Sequence, residues 1–260
     1  MDILVGPWEA LLLIAISLVG GIGITAIGPG GILVTIALFL FTDLSPAGVA
    51  GTAIVTHIGT GIVGSLAYIR SGQLREPQTR RLAIILSGTA LIGTPIGAMM
   101  NSRMSGPVFG ALLALLVMLV GITVLVRERR HPAGGTRARF RTVRSQGILG
   151  GSVALVSGIF GIGGPMLSVP AMVIGGMPIL QALAAAQAQS IVVAATGTAT
   201  YLAQEAISWP LAVLTGIPQL VGVWIGWRIA HALPTRPLTY ALAISLIALG
   251  PVILLMRLTT

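Results

Sequence analysis

Two glycine-dense breaks interrupt an otherwise apolar chain, one in each half. The more regular is Ser157-Gly158-Ile159-Phe160-Gly161-Ile162-Gly163-Gly164-Pro165-Met166-Leu167-Ser168-Val169-Pro170. A degenerate copy runs Ile24-Thr25-Ala26-Ile27-Gly28-Pro29-Gly30-Gly31-Ile32-Leu33-Val34-Thr35. Glycine and proline end helices and leave peptide groups unpaired. In hydrocarbon that is costly, so irregular backbone at membrane depth survives only where protein or a water-filled cavity surrounds it. A chain with two such breaks must fold around them. Matching interruptions in two halves are also the sequence mark of a transporter's binding site.

Composition sets the solvent. Of 260 residues 55% are hydrophobic and 8% charged, with a mean hydropathy of +0.99. A soluble domain of this length cannot hide that much apolar surface behind so few charges, so the partner solvent is the lipid bilayer. The first residues carry Asp2 and Glu9 in place of a basic region and lead into the first break, so no cleaved signal is expected there. The lack of cysteine excludes disulfides, thiolate metal sites and cysteine nucleophiles. The formal net charge of +9 comes from fifteen basic residues, all arginine, that fall between apolar runs. That is the pattern of the positive-inside rule, and no nucleic-acid partner is expected.

In chain order, Leu11 to Ile27 is apolar, the first break follows, and Ile32 to Phe41 is about half the ~20 residues that cross the hydrocarbon core. Ser45-Pro46 suits a helix start. Spans are expected at Ala47–Ile69, Leu82–Met100 and Val108–Val126, with Gly93 and Gly97 permitting close helix approach. Arg127 to Gln146, with seven arginines, reads as a solvated linker. The second half replays the first at an offset of roughly 130 residues. It has short runs at Gly147–Phe160 and Pro165–Ile174, then spans at Ile179–Ala206, Leu211–Ala230 and Leu238–Met256. The expected fold is therefore an all-α polytopic membrane protein of two inverted repeats, each with five helical elements and opening on a broken or re-entrant pair. The expected divisions are 1–126, a basic cytoplasmic linker 127–146, and 147–260.

Five elements per half force the second half to enter from the opposite face. With the N-terminus outside, thirteen of the fifteen arginines lie inside, and only Arg103 and Arg257 lie outside. This holds whether the short pairs cross fully or form hairpins. Hairpins are preferred in the second half, because Gly147–Phe160 and Pro165–Ile174 are both short.

These residues give the chain a resemblance to the TauE/SafE family of membrane permeases, the sulfite and organosulfonate exporters. It rests on Gly158-Ile159-Phe160-Gly161-Ile162-Gly163-Gly164-Pro165, on Val169-Pro170 and on the two-fold repeat. The first copy departs from the family pattern with Pro29 inside Gly28-Pro29-Gly30-Gly31. Gly51-Thr52-Ala53 and Gln189-Ser190 stand where the family has a Thr-Ser-type pair, and Ser71-Gly72-Gln73-Leu74 forms the turn that follows. The resemblance implies a multi-pass protein of the prokaryotic plasma (inner) membrane that moves a small sulfur-containing oxyanion, without a cofactor.

The residues themselves offer means of holding an anion. A helix N-terminus presents unpaired N–H groups and a partial positive charge, and glycine lets an anion approach them. Gly28, Pro29, Gly30, Gly31, Gly161, Gly163, Gly164 and Pro165 are the candidates at the two tips. Each glycine alone is equally explained by tight packing; a tip in both halves favours a site. His57, the only histidine within a span, is a candidate proton relay or ligand donor, set against a neutral histidine bonded to a backbone carbonyl. Thr52, Gln187, Gln189 and Ser190 lie on the long helices behind the tips. The two glutamines project about 200° apart, so one is expected to face the cavity. The expected activity is secondary transport of a small sulfur oxyanion such as sulfite or an organosulfonate, outward, coupled to protons or to the membrane potential. The inverted halves would rock around the tips, and a carboxylate is the alternative substrate. An intramembrane enzyme would need paired carboxylates, metal ligands or a nucleophile and base, none of which the sequence offers.

Overall fold

The computed structural model describes residues 5–129, 142–232 and 236–258. Among them ten α-helices and no strand are found: α1 (Pro7–Ala26), α2 (Ile32–Phe41), α3 (Pro46–Arg70), α4 (Pro77–Asn101) and α5 (Gly106–Arg129), then α6 (Val143–Phe160), α7 (Pro165–Ile174), α8 (Ile179–Ala203), α9 (Trp209–Ala232) and α10 (Arg236–Leu258). Short 3-10 turns occupy Pro29–Gly31 and Gln73–Arg75. Seven helices are long and apolar enough to cross a bilayer; α7 and the Pro29–Phe41 stretch are not. The expected all-helical membrane fold is what forms.

Local chemistry explains the helix starts. Pro46 and Pro165 occupy first turns, where a missing N–H costs nothing. Ser45 Oγ accepts a hydrogen bond from the Gly48 N–H at 3.1 Å and caps α3. Thr142 Oγ1 accepts from the Ser145 N–H at 3.2 Å and caps α6. That cap corrects the reading of the second half. Helix α6 starts at Val143 and not at Gly147, and its 18 residues are enough to span. Its first turn, with Arg144, Ser145 and Gln146, reads as hydrophilic linker in sequence. Helix α5 likewise continues to Arg129, and the rest of the expected linker, 130–141, lies outside the described residues.

The duplication is regular at its centre. Helices α2 and α7 have bounds 133 residues apart at both ends, and so do α3 and α8. Yet the halves do not pack as separate bodies. Helix α1 packs on α9 and α6 on α4, so each half's first helix lies against the fourth helix of the other half. Helices α3 and α8 pack together at the centre, and α5 lies on α10.

Small residues make the crossings close. A Cβ on Gly97 would run into the Leu155 carbonyl, and one on Gly222 into the Leu18 carbonyl. Lipid offers no hydrophobic force between helices, so close packing of this kind supplies the attraction. Phe109 of α5 stacks with Phe39 of α2 and with Phe160 of α6, at ring separations of 5.4 and 5.5 Å. The outer faces carry Leu91, Ile92, Leu115 and Val213, all exposed, as a lipid-facing surface requires. Trp8, Trp209 and Trp224 are also exposed, and the Arg228 guanidinium lies 3.7 Å over the Trp224 ring.

Candidate functional site

Both glycine breaks turn the chain inside the bundle, and residues 26–39 and 157–166 are buried without interruption. Gly28 (φ +113°) and Gly161 (φ +68°) occupy equivalent positions and make the turns, with backbone angles that side-chain-bearing residues rarely adopt. The tips are anchored differently. A Cβ on Gly28 would lie 2.9 Å from Val169 Cβ and 3.0 Å from the Pro165 carbonyl, so the first tip rests on α7. Gly161 presses on the backbone of Ala50 in α3. Gly30 is held against Gly20 and Gly23 of α1.

His57 lies between the tips. A Cβ on Gly31 would sit 2.6 Å from His57 Cε1 and 3.2 Å from Nε2; one on Gly163 would sit 3.1 Å from Nδ1 and 2.8 Å from Ser190 Oγ. The imidazole thus has one tip glycine on each side, and a Cβ at either would crowd it. The residue is 1% exposed, and its Nε2 has no hydrogen-bond partner. Thr60 Oγ1 is 3.5 Å from Nδ1, at the limit of a hydrogen bond. No backbone carbonyl satisfies Nε2, so the plain structural explanation of a buried histidine does not account for it.

The electrostatics of the region come from dipoles. Among the side chains whose burial is described no Asp, Glu or Arg is buried. At each tip one helix ends and another begins, so opposite dipole ends meet. Side chains cap the ending helices. Tyr68 Oη donates to the Thr25 carbonyl of α1 at 2.9 Å, and Tyr201 Oη donates to the Gly158 carbonyl of α6 at 2.7 Å. Asn101 Nδ2 donates to the Ile159 carbonyl as well. These bonds satisfy last-turn carbonyls of α1 and α6, and the starts of α2 and α7 bring positive dipole ends to the tips. Sequence reading missed the tyrosines. Two of the three in the chain stand 133 residues apart, and that spacing was the available signal.

The other candidates divide. Ser190 faces Gly163 at the centre, and Gly164 packs against the Ala186 carbonyl and Gln189 Oε1. Gln189 is committed to α6 and α7: its Oε1 accepts from Ser168 Oγ at 2.6 Å, and its Nε2 donates to the Gly150 carbonyl at 3.3 Å. Thr52 Oγ1 accepts from the Ser208 N–H at 3.0 Å, which ties α3 to the α8–α9 connection. Gln187 is 0% exposed with neither amide atom partnered, and it lies against Gly64 of α3. Pro29 and Pro165 are buried in the tips. Grooves of about 500 and 570 Å³ flank α7 and α2 and are lined mostly by aliphatic side chains; neither includes His57 or Gln187.

The profile of the family described as "Sulfite exporter TauE/SafE" matches residues 13–252. The chain is similar to "Probable membrane transporter protein YunE" of Bacillus subtilis (strain 168), with 25% identity over 92% of this chain and 95% of that protein. It is also similar to "Probable membrane transporter protein YdhB" of the same organism, with 24% identity over 86% of this chain and 91% of that one. A "Probable membrane transporter protein" of Xylella fastidiosa (strain Temecula1 / ATCC 700964) is 24% identical over 82% of each chain. No solved structure matches significantly.

Proposed function

The chain belongs to the sulfite exporter TauE/SafE family, and from that premise we propose that it is a secondary transporter exporting a small sulfur-containing oxyanion such as sulfite or an organosulfonate. The relatives' descriptions as membrane transporters support the class. The observation that carries the site is the His57 imidazole between Gly31 and Gly163, its Nε2 without a partner, in a core with no buried formal charge among the side chains whose burial is described. An anion held there receives hydrogen bonds from helix starts and from His57, and a proton on His57 balances a single negative charge. This makes His57 the candidate for proton coupling. Backbone dipoles suit a cargo that must also leave, because they bind without the deep trap of a buried arginine.

Alternating access then exposes the tips to each face in turn. Because α1 packs on α9 and α6 on α4, rocking the sequence halves apart would break both packings. The mobile parts in this reading are the tips with α2 and α7, moving against α3 and α8. The orientation that follows the arginines puts the N-terminus outside the plasma (inner) membrane and the basic stretch 127–146 on the cytoplasmic side.

The test is flux in proteoliposomes against sulfite, sulfoacetate, taurine, thiosulfate and lactate. Saturable transport of a sulfur oxyanion is expected. Intact protein that moves none of them would remove the reading, and lactate alone would replace it with carboxylate transport.

A further inference from the structure

Gln187 poses a problem that packing does not solve. It is fully buried, and both its amide nitrogen and its amide oxygen lack partners. A buried amide without hydrogen bonds has lost its hydration and gained nothing in return. The repeat shows what the fold itself requires at this place. The residue 133 positions earlier is Ile54, and the residue 133 positions after Gly64 is Gly197. Gln187 lies against Gly64, and Ile54 lies against Gly197 in the matching contact of the other half. An aliphatic side chain fills the equivalent space, so the amide is there for something other than filling it.

Its position says what it can reach. Residue 187 is three residues, just under one helical turn, before Ser190, which faces Gly163 and shares that glycine with His57. The neighbouring Ala186 carbonyl faces Gly164. The backbone of residue 187 therefore stands about 5 Å along α8 from Ser190, and its amide lies on Gly64, further along α3 from His57. Its amide offers two donors and one acceptor. Oxyanion oxygens can occupy the donors, but the acceptor needs a partner that itself carries O–H or N–H.

We infer that Gln187 is a specificity-determining residue: it receives a hydrogen bond from a donor group that the substrate carries about one helical turn from its anionic head. The inference rests on the anion-transport reading above and deepens it. The substrate class it selects is a short oxyanion whose second or third heavy atom beyond the head bears a hydroxyl or ammonium. A head alone, such as a one-carbon sulfonate, occupies the tips and leaves Gln187 unanswered. A site built around a hydrogen bond rejects the analogue that lacks the donor more strongly than an apolar pocket rejects an added methylene.

The test uses purified full-length protein in lipid nanodiscs and measures binding of three sulfonates at one pH and ionic strength. 2-Hydroxyethanesulfonate carries the donor, 1-propanesulfonate puts a methyl in its place, and methanesulfonate is the head alone. Wild type should bind 2-hydroxyethanesulfonate at least about tenfold more tightly than 1-propanesulfonate. Gln187→Leu should bring the two within about twofold and leave methanesulfonate unchanged. Equal binding of the pair by wild type overturns the inference, as does a tenfold gap that survives in Gln187→Leu. If Gln187→Leu does not fold, Gln187→Ile applies the other half's own solution, and the wild-type comparison still decides. Failure of all three sulfonates to bind wild type would instead break the anion-site reading itself, and the role of Gln187 would fall with it.

Discussion

The two glycine tips share a scaffold and differ in chemistry. The shared parts recur at 133 residues: the bounds of α2 and α7, the turning glycines Gly28 and Gly161, and the tyrosine bonds, each reaching back 43 residues to the end of the preceding helix. The differences fall on the side chains that face the centre. His57 in one half corresponds to Ser190 in the other, and Ile54 to Gln187. A duplicated fold needs its turns and caps twice, because each tip must satisfy its own backbone inside the bundle. One substrate needs a given contact only once. The central positions at which the repeat departs from itself, His57 against Ser190 and Gln187 against Ile54, are therefore the candidates for the chemistry, and substitutions at paired positions separate the two roles.

The largest effect belongs to the scaffold. Gly161→Ala would drive a Cβ into the Ala50 carbonyl at a positive φ. Backbone cannot step aside as a side chain can, so the loss should be about 3 kcal/mol or more, seen as failure to recover folded protein or as a large fall in melting temperature. Gly31→Ala and Gly163→Ala press instead on the side chains of His57 and Ser190. They should leave the melting temperature within a few degrees and abolish anion binding. If they unfold the protein as Gly161→Ala does, the tips are packing devices and nothing more.

Next in size is the central pair. His57→Ala should lower transport about a hundredfold and flatten its pH dependence between about pH 5 and 8, whereas Ser190→Ala should cost only a few-fold. A pH profile that survives intact in His57→Ala would exclude this residue as the proton carrier. Equal losses in the two variants would put the chemistry on the shared scaffold. The tyrosines should behave in the opposite way. Tyr68→Phe and Tyr201→Phe each strand one carbonyl and should each cost roughly 1–2 kcal/mol. The two costs should be similar, since Asn101 bonds the neighbouring Ile159 carbonyl and does not replace Tyr201 at Gly158. Chemical or thermal unfolding in one detergent measures both.

How much of this the sequence discloses depends on how local the cause is. The bilayer, the two breaks, the ends of α2, α3 and α7 and the start of α8 follow from apolar runs bounded by glycine and proline, all local signals; the end of α8, at Ala203 and not Ala206, carries no such mark. The start of α6 is hidden because a capped first turn of Arg144, Ser145 and Gln146 has a linker's composition. The crossing of α1 onto α9 and of α6 onto α4 is not written in any one segment. Gly93, Gly97, Gly222 and Gly226 announce that something approaches closely, not which helix it is. The two glutamines show the same limit. Helical geometry separates the directions of Gln187 and Gln189, but only the fold reveals that Gln189 binds Ser168 and Gly150 while Gln187 binds nothing.

The smallest effect tests whether departures from the repeat always mark function. Glu205 stands 133 residues after Gly72, and both adopt positive φ, +54° and +90°. Among the described residues Glu205 is the one non-glycine residue that does so. It ends the turn after α8 as Gly72 ends the turn after α3, but with a side chain that pays for the left-handed backbone by about 1 kcal/mol. The carboxylate is exposed and far along the chain from the tips. Glu205→Gly relieves the strain while adding freedom to the unfolded chain, which takes back part of the gain. The net expectation is a stabilisation of about 0.5 kcal/mol and a melting temperature one or two degrees higher, with transport unchanged. Gly72→Ala should shift stability the other way by a similar or slightly larger amount. A loss of transport in Glu205→Gly at unchanged stability would make this departure functional too, and would place a carboxylate at one mouth of the substrate path.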